Sequence, residues 1–246
     1  FISANSNQMG RIWYSAMDKP LYFGDIFYLD IGGADTQVFV LAGQDTSLAA
    51  ITDTDIYLVE GTLNTQTDQI SDYARAVEFT VKCSFAALRP TGVQSAALFA
   101  NEVVYLSDGG VTAIAASGIM DERYAQIRSA LINGWLLKEQ LNSCSMFTCG
   151  DFLVINTGCG RVYLLDCKQF SSAAVQPFSY RQFEGFIWQG LDSRFMWADE
   201  GKLYFISDEG AIFYVDFDTS SSRCFKDEVI DSSKNVTSRS IYAYWE

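Results

Sequence analysis

A strand ending in a small hydroxyl or amide residue, a tight polar turn and a second strand rich in aromatics recur together five times along this chain. The copies are Phe1-Ile2-Ser3 leading to Ile12-Trp13-Tyr14, Ala50-Ile51-Thr52-Asp53 to Ile56-Tyr57-Leu58, and Val104-Tyr105-Leu106-Ser107-Asp108 to Val111-Thr112-Ala113-Ile114. Val154-Ile155-Asn156-Thr157 to Val162-Tyr163-Leu164 and Tyr204-Phe205-Ile206-Ser207-Asp208 to Ile212-Phe213-Tyr214 complete the set. With Ser3, Thr52, Ser107, Asn156 and Ser207 as equivalents, the steps are 49 (3 to 52), 55 (52 to 107), 49 (107 to 156) and 51 (156 to 207) residues. A period of roughly 50 residues built from short strands is the signature of a β-propeller with one four-stranded blade per repeat. The expectation is an all-β, five-bladed β-propeller in a single domain, with repeats at about 1–36, 37–93, 94–142, 143–192 and 193–246.

Within the second repeat the pattern predicts strands near 37–41, 48–52, 55–60 and 76–85. The third predicts 94–100, 102–107 and 110–115, after which the alternation breaks. Tyr124, Ile127, Leu131, Ile132 and Trp135 recur at helical spacing, with Asp121 as an N-cap and Asn133-Gly134 as a stop, so a short helical insertion is expected near 121–133. The fourth repeat predicts strands from 143 toward Asp151, then to Asn156, 161–166 and 184–191. The last predicts 194–197, 202–207, 211–216 and 240–245. The first repeat begins inside its second strand and continues at 11–15 and 26–31. Closing a ring then requires either residues upstream of Phe1 or the 240–245 strand to supply the missing inner strand. Both ends stop in mid-pattern, which suggests a domain cut from a longer protein.

Composition narrows the functions. Hydrophobic residues make up 49% of the 246, enough for a large core, and no apolar run reaches the ~18 residues that span a bilayer. With 17 Lys+Arg against 30 Asp+Glu, the net charge of −13 argues against nucleic acid wrapped on the outside, although a polyanion in transit through an acidic channel stays open. There is no histidine, which removes Ser-His-Asp and Cys-His arrangements and the usual mixed zinc sites. No cysteine pair has CxxC spacing, and buried free thiols are the first reading for Cys83, Cys144, Cys149, Cys159, Cys167 and Cys224. No glycine-rich phosphate loop precedes a helix, so no cofactor is expected.

The turns between second and third strands carry Asp53, Asp55, Asp108, Asp208 and Glu209. In a propeller such turns share one face, where carboxylates form a candidate ring for a cation or ligand. The competing reading, which weighs more, is that Asp and Gly there serve tight hairpin geometry. Trp13, Tyr22, Phe23, Trp188 and Trp197 are candidate sugar-stacking residues, against the commoner fate of packing between blades. The segment with Arg123, Arg128, Lys138 and Glu139 is the one amphipathic stretch with local positive charge, a candidate dock for a neighbouring subunit or an insertion packed beneath the ring.

The stretch Arg11-Ile12-Trp13-Tyr14-Ser15, Asp18-Lys19-Pro20-Leu21-Tyr22-Phe23 and Phe27-Tyr28-Leu29-Asp30-Ile31-Gly32 resembles virion propeller proteins of tailed bacteriophages, of tail-nozzle or tail-stabilisation type. So do Asp55-Ile56-Tyr57-Leu58-Val59-Glu60-Gly61, Glu122-Arg123, Arg128-Ser129, Leu136-Leu137-Lys138-Glu139 and the closing Ile241-Tyr242-Ala243-Tyr244-Trp245-Glu246. These motifs are structural, not catalytic. The resemblance implies a non-enzymatic structural or adhesive part of a virion, assembled in the bacterial cytoplasm, whose partners are other virion or tail proteins and, as a further option, a host surface glycan. Two rivals stand beside it: a carbohydrate-binding or glycoside-hydrolysing propeller with a carboxylate pair in its funnel, and a bacterial scaffold propeller that reads peptides.

Overall fold

The computed structural model describes residues 1–3, 7–16, 19–33, 35–44, 47–63, 77–91, 95–116, 123–166, 182–191, 193–207, 210–216 and 242–244. Its elements are almost all β-strands, arranged in antiparallel sheets that follow the repeats. By internal packing the chain divides into two compact units. One comprises Phe1–Pro90, Asn101–Val103 and Ile114–Ala125; the other comprises Thr91–Ala100, Val104–Ala113 and Gln126–Glu246.

The first repeat holds a two-stranded sheet of β1 (Arg11–Trp13) and β2 (Tyr28–Asp30), with Ile2 bridging Trp13. Arg11 lies over the Tyr28 ring and hydrogen-bonds both carboxylate oxygens of Asp30, its cross-strand partner. The second repeat is a four-stranded meander of β3 (Val38–Gln44), β4 (Ser47–Thr52), β5 (Asp55–Leu63) and β6 (Val77–Ala86). In the first unit, Ile12 and Ile31 pack with Val38, Ala50 and Val59.

The third repeat forms a second meander of β7 (Ala96–Phe99), β8 (Glu102–Ser107), β9 (Gly110–Ala116) and β10 (Arg123–Ile127). A short helix α1 (Asn133–Leu136) and a 3-10 turn (Leu141–Ser143) follow. The fourth has β11 (Ser145–Cys149), β12 (Phe152–Asn156), β13 (Arg161–Asp166) and β14 (Glu184–Gln189); the last has β15 (Ser193–Asp199), β16 (Lys202–Ser207) and β17 (Ile212–Asp216). All six residues of β8 are buried, which explains its unbroken apolar run: an inner strand covered on both faces has no polar side to alternate with.

In the second unit the fourth sheet shows how period-2 alternation feeds two cores. Leu153, Ile155, Tyr163 and Leu165 pack with Val104, Leu106, Val111, Met146 and Phe183 on one face. Val154, Val162, Leu164 and Trp188 point the other way, against Met196, Leu203, Phe205 and Val215. Each such aliphatic side chain taken from water contributes about 1.5–3 kcal/mol before entropy is counted.

Three expectations need correction. The segment predicted as a helix near 121–133 is instead strand β10 at 123–127, with α1 beginning at Asn133, the residue expected to stop it. β10 takes the open edge of β9, and just beyond it the Arg128 amide donates to Val111 O (2.7 Å); sheet pairing overrides the helical spacing. Asp121, the expected cap, lies outside the described residues. The strand expected at 240–245 to complete the last repeat is β18 (Tyr242–Tyr244), and it pairs antiparallel with β14 as the fifth strand of the fourth sheet. Cys144 and Cys149 are buried free thiols as expected, but Cys159 is exposed because it occupies the β12–β13 turn.

Candidate interaction surface

In the second to fifth repeats the recurring hydroxyl or amide is a buried turn fastener. Thr52 Oγ1 donates to Asp55 O (2.8 Å) and accepts from the Asp55 amide (3.0 Å). Ser107 Oγ donates to Gly110 O (3.0 Å), accepts from the Gly109 amide (3.1 Å) and meets Thr112 Oγ1 (2.7 Å). In the fourth repeat two neighbouring residues divide this role, Asn156 Oδ1 accepting from the Gly158 amide (3.0 Å) and Thr157 Oγ1 donating to Arg161 O (2.8 Å). Ser207 Oγ accepts from the Ala211 amide (3.3 Å). The hydroxyl or amide oxygen satisfies backbone groups that a two-strand turn leaves unpaired.

These fasteners position the acids proposed from sequence. Asp53 and Asp55 stand on the β4–β5 turn of the first unit, Asp53 exposed and Asp55 half-buried with its carboxylate accepting from the Thr54 hydroxyl (2.7 Å). Asp108 is exposed on the β8–β9 turn of the second unit; Asp208 and Glu209 lie outside the described residues. Among the described residues no three His, Cys, Asp or Glu side chains are grouped to hold a metal ion, and no helix is long and apolar enough to cross a membrane. The candidate aromatics are also placed. Trp188 is in the core, Tyr22 is exposed in a T-shaped pair with Phe27, and Trp197 stacks on Tyr204 at 5.2 Å and 11°. Because Trp197 and Tyr204 face each other across the β15–β16 pair, those facing ring surfaces are already used.

The most distinctive surface lies where the repeat is interrupted, in residues 129–143 between β10 and β11. Its base is locked to the Asp108-Gly109-Gly110 turn. Ser129 Oγ accepts from the Val111 amide (2.8 Å) and donates to Asn133 Oδ1 (2.7 Å), and Asn133 Nδ2 donates to Gly109 O (2.9 Å). Gly110 has φ +103°, and a Cβ there would lie 2.5 Å from both Ser129 Oγ and Asn133 Oδ1, so only glycine fits. Gln182 adds a clasp, accepting from the Ala130 amide (3.0 Å) and donating to Ile127 O (2.9 Å).

The far end is held by a carboxylate. Glu139 Oε1 accepts from the Tyr163 hydroxyl (2.8 Å) and from Arg161, both on β13. Burial, then the bond to Glu139 and its charge, raise the Tyr163 phenol well above its ordinary value, with Arg161 offsetting part of the rise. Burial also pushes the Cys144 thiol up to about 11, helped by the charges of Glu139 and Cys159, and burial alone does the same to Cys149.

Between these anchors Ile132 and Leu136 enter the core, four residues apart on one side. Leu131, Trp135 and Leu137 stay outside, exposed by 67%, 43% and 45%, with Lys138 Nζ 5.1 Å from the Trp135 ring centroid. All three are large apolar side chains left in solvent within seven residues of one another, and exposed apolar surface that is clustered is often functional. Sequence reasoning marked Leu131, Trp135, Lys138 and Glu139 but missed Gly185, whose missing side chain makes room for Ile132, Asn133's lock on Gly109, and the Arg161–Tyr163 cradle. The paired i, i+4 sets Leu131/Trp135 and Ile132/Leu136 were the available signal for a display face backed by an anchor face.

No protein-family model matches the sequence, and no curated protein matches it. Two solved structures show distant similarity to the chain. BamB from Moraxella catarrhalis is 12% identical with a TM-score of 0.47, the match covering 87% of this chain and 54% of that one. The complex of the fission yeast SREBP–SCAP binding domains is 13% identical with a TM-score of 0.46, covering 94% of this chain and 62% of that one. The chain therefore spans less than two thirds of either structure.

Proposed function

We propose that this chain is a non-enzymatic structural domain of a bacteriophage particle, built as a five-bladed β-propeller and working through rigid protein–protein contacts. The reading is supported by the virion-type motifs of the sequence and by one observation above all: Leu131, Trp135 and Leu137 are displayed on a segment fastened at both ends and in its middle. An exposed tryptophan on an immobilised backbone is suited to act as an interface hot spot, since little side-chain or loop entropy remains to be lost on binding. A sequence without histidine is compatible with a domain that binds without catalysing.

The test is incorporation. Chains carrying Trp135→Asp with Leu131→Asp, and the unaltered chain, are expressed in the producing host during particle assembly, and particles are purified and analysed by mass spectrometry. The unaltered chain is expected in the particle and the altered chain is expected to be depleted at least tenfold while remaining folded in the cell extract. Absence of the unaltered chain from every particle fraction overturns the virion reading. Equal incorporation of both overturns the role of the patch.

A further inference from the structure

Of the strands that lie outermost in their meanders, β14 carries an additional partner among the described residues. β6 and β10 end their sheets, whereas β14 is followed by β18. The pairing sets Ile187 opposite Tyr244, Trp188 opposite Ala243 and Gln189 opposite Tyr242. The pairing uses the C-terminal half of β14, from Ile187 to Gln189. β18 reaches this edge from β17 of a different sheet, although its place in the meander would be beside β17 itself.

We infer that the outer edge of β14 is a strand-acceptor site, and that its occupant can be the Tyr242–Tyr244 strand of a second copy of this chain, linking copies by exchanged strands. Three physical points carry this. An unpaired outer strand presents a row of backbone donors and acceptors, which any extended segment of compatible register satisfies, and β18 demonstrates that this edge accepts one antiparallel. The contacts a strand makes with the edge are the same whether it comes from its own chain or from a copy, so exchange costs only the difference between tethered and free concentration. Residues 217–241 connect the two elements, a connection whose maximum reach is on the order of 80 Å at ~3.3–3.6 Å per residue. Connection length bounds the advantage that a chain's own strand holds over a neighbour's, because effective concentration falls as the span between two joined elements grows. Inside an assembly, where copies are held close, the strand of a neighbour competes on nearly equal terms. The inference does not depend on the virion reading, because it concerns what the β14 edge binds in any setting.

Cysteine pairing distinguishes own from foreign strands. In a Cys159→Ser background, one full-length chain carries Gln189→Cys and a differently tagged one carries Tyr242→Cys, the two positions that oppose each other. Mixed and mildly oxidised over a concentration series, they are expected to form a disulfide-linked heterodimer that rises at least fivefold above a control pair with Cys at 184 and 242. The doubly substituted chain is expected to link within itself when dilute and between chains when concentrated. If the double variant links only internally at every concentration, and the mixed pair never exceeds the control, exchange is overturned. If the double variant does not link at all, the acceptor site itself is overturned.

Discussion

Gly185 offers a direct test of how the displayed segment is anchored. It lies in β14 opposite Leu165, and a Cβ built on it would collide with Ile132 Cγ2 and lie 3.3 Å from Ile132 Cβ. Ile132 is 6% exposed and β-branched, so its Cγ2 can retreat only by leaving a stiff rotamer inside a packed core. Overpacking of this kind costs about 1–3 kcal/mol, offset in part by roughly 0.5–1 kcal/mol because alanine is favoured over glycine within a strand. Gly185→Ala should therefore destabilise the chain by about 0–2.5 kcal/mol. Ile132→Ala alone should cost about 2–4 kcal/mol through lost burial and the cavity left behind. In the double variant the atom that clashes is gone and only the 3.3 Å approach to Cβ remains, so the double should be more stable than the sum of the singles by about 1–3 kcal/mol. Urea unfolding followed by far-ultraviolet circular dichroism and tryptophan emission measures all four corners of the cycle. Additivity within about 0.5 kcal/mol would show that Ile132 does not rest on Gly185, and the anchored-display argument would lose its central support.

The turn fasteners and the turn acids separate by substitution. Ser107→Ala strands Thr112 Oγ1 in the interior and frees the part-buried Gly109 amide, and should cost about 1–3 kcal/mol, whereas Asp108→Asn, on the exposed tip, should stay within about ±0.5 kcal/mol in the same urea titration. Tyr163→Phe removes one of the donors to Glu139 and should lower stability by about 1–3 kcal/mol; an unchanged midpoint would count against the cradle. Cys144 and Cys149 keep their protons to about pH 11 when folded, against 9.0 for an ordinary thiol. Their folded values are raised, so the contribution is intact below pH 9 and is lost as pH climbs toward 11, where the unfolded state ionises first. Stability should fall across that window, and replacing both cysteines by alanine should flatten the fall; an unaltered slope would remove burial of these thiols as its cause.

How far the fold could be read in advance depended on where each element's information resides. The bounds of β8, β13 and β16 coincide with those expected from sequence, since each is an apolar run closed by a polar turn and the signal is local. β10 was misread because Tyr124, Ile127 and Leu131 mimic a helical stripe, and the deciding interaction, pairing with β9, is not written in residues 123–127 themselves. The partner of β18 was illegible for a stronger reason: an edge strand carries no mark of which outer edge it will join. Gly185 was invisible as an anchor, because its need for a small residue arises from Ile132, which is distant in sequence and enters from an insertion.

The same distinction bears on where function sits. Thr52, Ser107, Asn156, Thr157 and Ser207 recur because every hairpin must satisfy the same backbone groups, and that requirement leaves these positions little freedom to vary toward a partner. Of the acids beside them, Asp53 and Asp108 stand exposed, and no three grouped acids in the described residues make a metal site. A segment that interrupts the repeat is released from that duty. Residues 129–143 direct Ile132, Leu136, Asn133 and Glu139 to fastening and leave Leu131, Trp135 and Leu137 with no part in it. Exposed apolar surface costs solubility, and fastening it costs ordering entropy, so a stretch that bears both costs is explained most economically by a partner that covers it.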